Sequence, residues 1–136
     1  VKRIEKDTGE VVKTFEPTLV RQTVTASTSQ LLRKYLKSTV DDGLAKKAGV
    51  TGYSIGGKTG TAQESQKRGN HAFFISFAPY ENPEISVTVS IPNGYSSSNA
   101  AMVAKHVYRY FYGYASLDDI LNSGALDASN ERINGD

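Results

Sequence analysis

The 136-residue sequence predicts an α+β fold: an antiparallel sheet packed with helices and preceded by a hairpin. Three observations lead there. Residues 72–78 (Ala-Phe-Phe-Ile-Ser-Phe-Ala) form a strongly apolar run of strand length, and in residues 85–91 Ile85, Val87, Val89 and Ile91 alternate with Ser86, Thr88 and Ser90, the period-two pattern of a half-buried strand. The links beside these runs, Gly69-Asn70 and residues 79–83 (Pro-Tyr-Glu-Asn-Pro), are turn material too short for a crossover helix, so successive strands must run antiparallel. Apolar positions at helical spacing flank the strands on either side.

In chain order, residues 1–4 and 10–13 flank the turn Lys6-Asp7-Thr8-Gly9 and read as a hairpin, and residues 17–26 as a connection. Ser27 and Gln30 have the spacing of a capping box. After them Leu31, Leu32, Tyr35, Leu36 and Val40 keep to one face of a helix that Gly43 ends. Tyr53-Ser54-Ile55 leads into a first sheet strand at residues 58–61. Residues 72–78 and 85–91 are the second and third. A last helix is expected from about Ser98 to Gly113, capped within Ser97-Ser98-Asn99, with Ala100, Val103, Ala104, Val107 and Phe111 on its apolar face. Tyr108, Tyr110, Tyr112 and Tyr114 fit an aromatic-rich helix packed on a sheet better than a sugar-stacking surface. Residues 116–121 add a helical turn, and 116–136 as a whole are expected to be a flexible polar tail behind a 1–115 domain portion.

The stretch Gly56-Gly57-Lys58-Thr59-Gly60-Thr61-Ala62-Gln63 carries the chemistry. Counted from Gly52 it satisfies the phosphate-loop spacing G-x-x-x-x-G-K-[ST]. That loop needs a buried strand before the glycines and a helix starting at the Lys-Thr, so that backbone N–H groups and the helix dipole face the phosphates. Residues 44–51 carry two lysines and no continuous apolar run, Gly60 follows Thr59 at once, and residues 62–70 have no apolar stripe. No later strand ends in an Asp able to hold magnesium. Counted from Lys58, the same residues read Lys-Thr-Gly-Thr on a strand.

With His71-Ala72-Phe73-Phe74-Ile75-Ser76-Phe77-Ala78-Pro79 and Asn82-Pro83-Glu84-Ile85-Ser86-Val87 following, the chain resembles the transpeptidase domain of penicillin-binding proteins, most closely the class B D,D-transpeptidases. The resemblance runs from about Ser27 to Tyr112. It implies three strands of a five-stranded sheet whose other two would pair with residues 85–91. It also implies a serine nucleophile in a Ser-x-x-Lys and a Ser-x-Asn ahead of the Lys-Thr-Gly, and neither is present in order. Ser65-Gln66-Lys67-Arg68 ends in Arg, and Ser97-Ser98-Asn99 lies downstream of Lys58. The chain therefore resembles the C-terminal part of such a domain and is expected to be inactive alone.

The roles that the resemblance implies are specific. In acyl transfer to serine, the tetrahedral oxyanion needs preorganised donors. The backbone N–H of Thr61 would be one and that of the missing serine the other. Lys58 would hold the Ser-x-Asn serine and supply positive potential. The Thr61 hydroxyl would bind the terminal carboxylate of a D-Ala-D-Ala stem peptide or of a β-lactam, and Thr59 would face the supporting side. Gly60 would stay small so that a substrate strand could align along the edge, with Gln63 at the rim. The implied location is the extracytoplasmic face of the bacterial membrane, anchored outside this segment.

Composition sets the remaining bounds. Hydrophobic residues at 38% and charged residues at 22% are ordinary for a globular chain, and a scattered net charge of +2 does not suggest nucleic acid. Zero cysteines exclude disulfides and thiolate sites, and two unrelated histidines, His71 and His106, do not make a metal site, so neither metal nor cofactor is expected. His71 opens an apolar strand with no evident partner. A serine β-lactamase or β-lactam sensor would share Lys58-Thr59-Gly60, and a phosphate-loop protein or a non-catalytic module are the more distant rivals. Removed from its neighbours, the flat strand at 85–91 is expected to self-associate, to borrow a strand such as the N-terminal hairpin, or to need the rest of its domain.

Overall fold

A computed structural model describes residues 1–123, and its elements follow the expected order. The hairpin pairs β1 (Arg3–Glu5) with β2 (Val11–Thr14) through a turn closed by Lys6 N–H to Glu10 O, with Gly9 in the left-handed region. Helix α1 (Ala26–Asp41) follows, then a short 3-10 turn at Lys46–Ala48. The sheet consists of β3 (Gly56–Ala62), β4 (His71–Ala78) and β5 (Ile85–Ile91), antiparallel and in the order β3-β4-β5. Helices α2 (Ser97–Phe111) and α3 (Leu117–Ser123) complete the described chain. Residues 117–123 of the expected tail are thus helical, and the remainder of that tail lies outside the described residues. No helix among the described residues is long and apolar enough to cross a membrane.

The register fixes which side chains share a face. Thr59, Phe74 and Val89 stand opposite one another, as do Gly57, Ser76 and Val87, so these residues, with Ala72 and Ala78, project to one side. That side is covered by α2, and the core lies between them around Phe74, Ile55, Ala100, Ala101, Ala104 and Tyr108. Burying Phe74 alone contributes roughly 1.5–3 kcal/mol. The opposite side carries Lys58, Gly60, Phe73, Ile75 and Thr88. Ile75 is 55% exposed there.

Both helices bury a different stripe from the one their hydropathy suggests. On α2 the buried residues are Ser97, Ala100, Ala101, Ala104 and Tyr108, while Val103, Val107 and Phe111 are exposed. Three alanines let the helix approach the sheet closely, and Tyr108 fills the slot beyond them because Ser76 offers its hydroxyl a partner. On α1 only Val40 is buried, and Leu31, Leu32 and Tyr35 lie open. The face turned to the sheet is instead Arg33, Leu36, Lys37 and Val40. The Arg33 guanidinium sits 5.8 Å from the Phe77 ring and 5.3 Å from that of Tyr80, and Lys37 Nζ is 5.9 Å from Tyr80, geometry in which cationic side chains pack like apolar ones.

The helix starts also shift. Thr25, not Ser27, caps α1 by accepting from Thr28 N–H at 3.1 Å, which leaves Ser27 inside the first turn with its hydroxyl 2.9 Å from that of Thr25. Ser96 caps α2 by accepting from Ser98 N–H. The end of α1 agrees with the sequence: a Cβ on Gly43 would lie 2.8 Å from Thr39 O, so only glycine fits the close return of the chain. After α2, the half-buried Tyr112 stacks on Tyr53 at 3.7 Å, and the exposed Tyr114 stands edge-on to Tyr53 at 5.4 Å.

Candidate functional site

The Lys-Thr-Gly-Thr stretch is the centre of β3, an edge strand that pairs as a strand only with β4 among the described residues. Its entrance is fixed from both sides. The Ser54 hydroxyl accepts from Tyr80 N–H at 3.1 Å and donates to the Glu81 carboxylate, holding that carboxyl below the usual range. The Thr39 hydroxyl of α1 bonds the Gly57 carbonyl. The strand then runs unbroken to Ala62. No helix begins at Lys58-Thr59, and the backbone forms no loop that could cradle a phosphate, which removes the nucleotide reading.

The glycines of β3 do different jobs. A Cβ on Gly56 would lie 2.5 Å from Phe77 Cζ, and one on Gly57 2.5 Å from Phe74 Cζ and 2.9 Å from Ile75 O. Their bareness is occupied by rings of β4, so it serves sheet packing and not the approach of a ligand. Gly60 is different. A Cβ there would meet nothing nearer than Phe73 Cβ at 3.5 Å, an ordinary contact. Nothing in the described fold requires glycine at 60.

Lys58 projects from the face opposite α2 and is exposed, its Nζ donating to Thr59 O at 2.8 Å. Thr59 is buried on the α2 side. Thr61 stands opposite buried Ala72, and by alternation shares the Thr59 side. Gln63 is exposed just past the strand end. The structure therefore brings Lys58 and Gly60 together on one face and sets Thr61 on the other, so a group reaching both Lys58 and Thr61 must lie along the outer edge of β3.

Two further residues acquire roles that the sequence did not disclose. His71 has partners after all: its Nδ1 accepts from Asn93 N–H at 3.1 Å and its Nε2 lies 3.4 Å from Glu64 Oε2. Asn99, from the Ser-Ser-Asn string, lies in the first turn of α2 and donates through Nδ2 to Gly94 O at 2.8 Å, tying the helix to the preceding turn, while the capping position falls to Ser96. No strand or helix pattern marks either contact. Both join segments that are distant in sequence or irregular in backbone. Among the described residues, no three His, Cys, Asp or Glu side chains gather as metal ligands would.

The family described as penicillin binding protein transpeptidase domain matches residues 1–109. Stage V sporulation protein D of Bacillus subtilis is 38% identical over 95 residues, covering 66% of this chain and 15% of that protein. Peptidoglycan D,D-transpeptidase MrdA of Haemophilus influenzae is 40% identical over 74 residues, covering 43% of this chain and 11% of that protein. Among solved structures, the D,D-transpeptidase domain of a peptidoglycan glycosyltransferase from Eggerthella lenta aligns at TM-score 0.66 with 27% identity, covering 84% of this chain and 27% of that one. Pseudomonas aeruginosa PBP2 in complex with WCK 5153 aligns at TM-score 0.58 with 31% identity, covering 78% of this chain and 24% of that one. The chain thus spans a small part of the length of the relatives it matches.

Proposed function

The chain belongs to the penicillin-binding protein transpeptidase domain family, and from that premise we propose that it forms the Lys-Thr-Gly wall of a peptidoglycan D,D-transpeptidase site within a longer protein. The nucleophilic serine, supplied from outside these residues, attacks the penultimate D-Ala carbonyl, and the terminal D-Ala leaves. Its negatively charged tetrahedral intermediate is stabilised by fixed N–H donors. Thr61 N–H is one of them. Lys58 supplies positive potential and holds the serine of a Ser-x-Asn, and the Thr61 hydroxyl binds the terminal carboxylate of the stem peptide or of a β-lactam. Thr59 supports the strand from the buried side, and Gln63 borders the rim.

The single observation that carries this reading is Gly60. It lies beside Lys58 on an open face at the sheet edge, and the described fold gives no packing reason for the missing side chain. A site built to let an extended substrate strand lie along β3 supplies that reason. The exposed apolar side chains Leu31, Leu32 and Tyr35 on α1, and Ile75 on the sheet, support a further expectation, that the rest of the same transpeptidase domain packs against them. We place the assembled domain on the extracytoplasmic face of the membrane, where its substrate is cross-linked.

The test is acylation by a fluorescent penicillin. The full-length protein should label, and this chain alone should not, because it contains no Ser-x-x-Lys. In the full-length protein, Thr61→Val should slow acylation roughly ten- to a hundredfold, the scale of one or two charge-assisted hydrogen bonds at ~1.5–3 kcal/mol. Lys58→Ala should cost more. Unchanged rates in both variants would put these side chains outside the cleft, and a stable adduct on a serine of the chain alone would overturn the reading.

A further inference from the structure

We propose that His71 is a positioning residue for the same reaction, a two-ended staple that fixes the end of β3 where Thr61 sits. The inference rests on the reading of β3 as the oxyanion and carboxylate wall.

The geometry begins with the sheet. Ala62 and His71 are the last register pair of β3 and β4, one step beyond Thr61 and Ala72. Past them, residues 63–70 form an irregular loop, and β3 pairs with no second strand among the described residues. A strand end in that position frays most readily. An oxyanion donor must nevertheless be held within a few tenths of an ångström of its working distance, because its contribution depends on being in place before the charge develops.

His71 adds a restraint. Its Nδ1 accepts the N–H of Asn93 in the turn after β5, at 3.1 Å, and its Nε2 lies 3.4 Å from Glu64 Oε2 in the loop after β3. A nitrogen that accepts from a backbone N–H carries no proton, so the neutral ring holds its proton on Nε2, the ring nitrogen on the Glu64 side. Glu64 is also 3.7 Å from Arg68 Nη1. The contact does not stand alone. Tyr95 N–H donates to Asn70 O at 3.0 Å, and a Cβ on Gly69 would lie 2.9 Å from the Tyr95 ring. The β3–β4 loop is thereby fastened to the β5–α2 turn at consecutive residues 69, 70 and 71. Asn93 and Tyr95 both hold positive φ, at 53° and 63°, so the turn is shaped to present its N–H groups to that loop. Of these contacts only the His71 ring reaches back to the β3 side.

Two amide substitutions separate its two ends. Asparagine at 71 places Oδ1 near the Nδ1 position and can accept from Asn93 N–H. Glutamine can reach Glu64 with its amide but loses the short acceptor. In the full-length protein, His71→Ala and His71→Gln should lower the rate of acylation by a fluorescent penicillin about ten- to a hundredfold, the scale of a misplacement near 1 Å. His71→Asn keeps the Asn93 end but not the Glu64 end that reaches β3, so it should recover only part of the loss. Amide exchange of residues 61–64 should accelerate in all three variants and that of residues 93–95 in Ala and Gln but not in Asn, with the global unfolding midpoint little changed. Parental acylation by His71→Ala would overturn the proposal, as would parental acylation by His71→Asn or His71→Gln, each of which lacks one end, or losses that merely follow the folded fraction. Lys58→Ala and Thr61→Val run beside them as controls. If those two acylate normally, the reading of β3 fails and the reaction role of His71 with it. If they are impaired and His71→Ala is not, only the positioning role fails.

Discussion

The hydroxyl of Tyr108 donates to Ser76 Oγ at 2.9 Å in the buried interface between α2 and the central strand, and Ser76 passes its own hydrogen to Val87 O at 3.2 Å. Three elements meet through two bonds. Tyr108→Phe keeps the ring and leaves Ser76 with an acceptor, so it should cost about 0.5–1.5 kcal/mol. Ser76→Ala strands a phenol in the core and should cost about 1–3 kcal/mol. Tyr108→Ala opens a cavity and should cost about 3–5 kcal/mol. Denaturant melts of the folded domain check the order, and equal losses for Phe and Ala at position 108 would show that the ring is not packed.

Tyr108 also shows where the sequence stops being legible. The strands were readable because a half-buried strand alternates: Ile85, Val87, Val89 and Ile91 gave the bounds of β5 without error, and the run beginning at Ala72 placed β4 to within one residue. The Lys-Thr-Gly stretch was equally legible as a strand. Helix faces were not. Hydropathy scores Arg33 and Lys37 as solvent-facing, yet aromatic rings of the opposing segment make them the packed side of α1. It scores Val103 and Val107 above Tyr108, yet a partner hydroxyl on β4 decides which enters the core. The His71 bridge depends on a turn more than twenty residues away, a relation no local pattern encodes. Each miss arises from a property of the opposing surface.

The unequal glycines of β3 give a second prediction. Gly57→Ala forces a methyl against a ring and a backbone oxygen, and should destabilise the domain by about 1–3 kcal/mol. Gly60→Ala meets only an ordinary contact, and relief of glycine's chain entropy should leave stability unchanged or raise it by about 0.5–1 kcal/mol. The acylation rate of the full-length protein should nevertheless fall for Gly60→Ala, stability gained at the expense of function. A Gly60→Ala protein that acylates at the parental rate would mean that no substrate strand passes there.

Alkaline pH gives a third. Burial raises the Tyr108 phenol above its ordinary value, with the Ser76 bond opposing, and burial and then the charge of Glu84 raise Tyr112. The folded chain therefore keeps protons that the unfolded chain releases above about pH 10. This contribution is complete below that pH and is lost as pH rises through the folded values. Lys37, raised chiefly by its hydrogen bond to Asp41, acts with the same sign. Melts across this range should show falling stability, with a shallower slope for Tyr108→Phe in a Lys37→Gln background. A slope unchanged by Tyr108→Phe would assign the loss to other groups.

The last prediction concerns β5. It pairs with β4 on one side and with nothing on the other among the described residues, and between Ile85 and Ile91 it contains neither charge nor proline. Its side chains alternate cleanly, so the edge is flat and β-branched, the kind that recruits another strand. The N-terminal hairpin does not fill that place, because β1 and β2 form a sheet of their own. This leaves two of the three expected outcomes for the chain on its own: self-association through β5, or solubility only beside the remainder of its domain. Sedimentation at concentrations on the order of 100 μM should show dimers or larger species. Thr88→Lys, which puts a charge on the exposed face of the edge strand, should shift the chain toward monomer without lowering its unfolding midpoint. A chain that stays monomeric at that concentration, with β5 amides exchanging as an open edge, would show that this edge needs no partner.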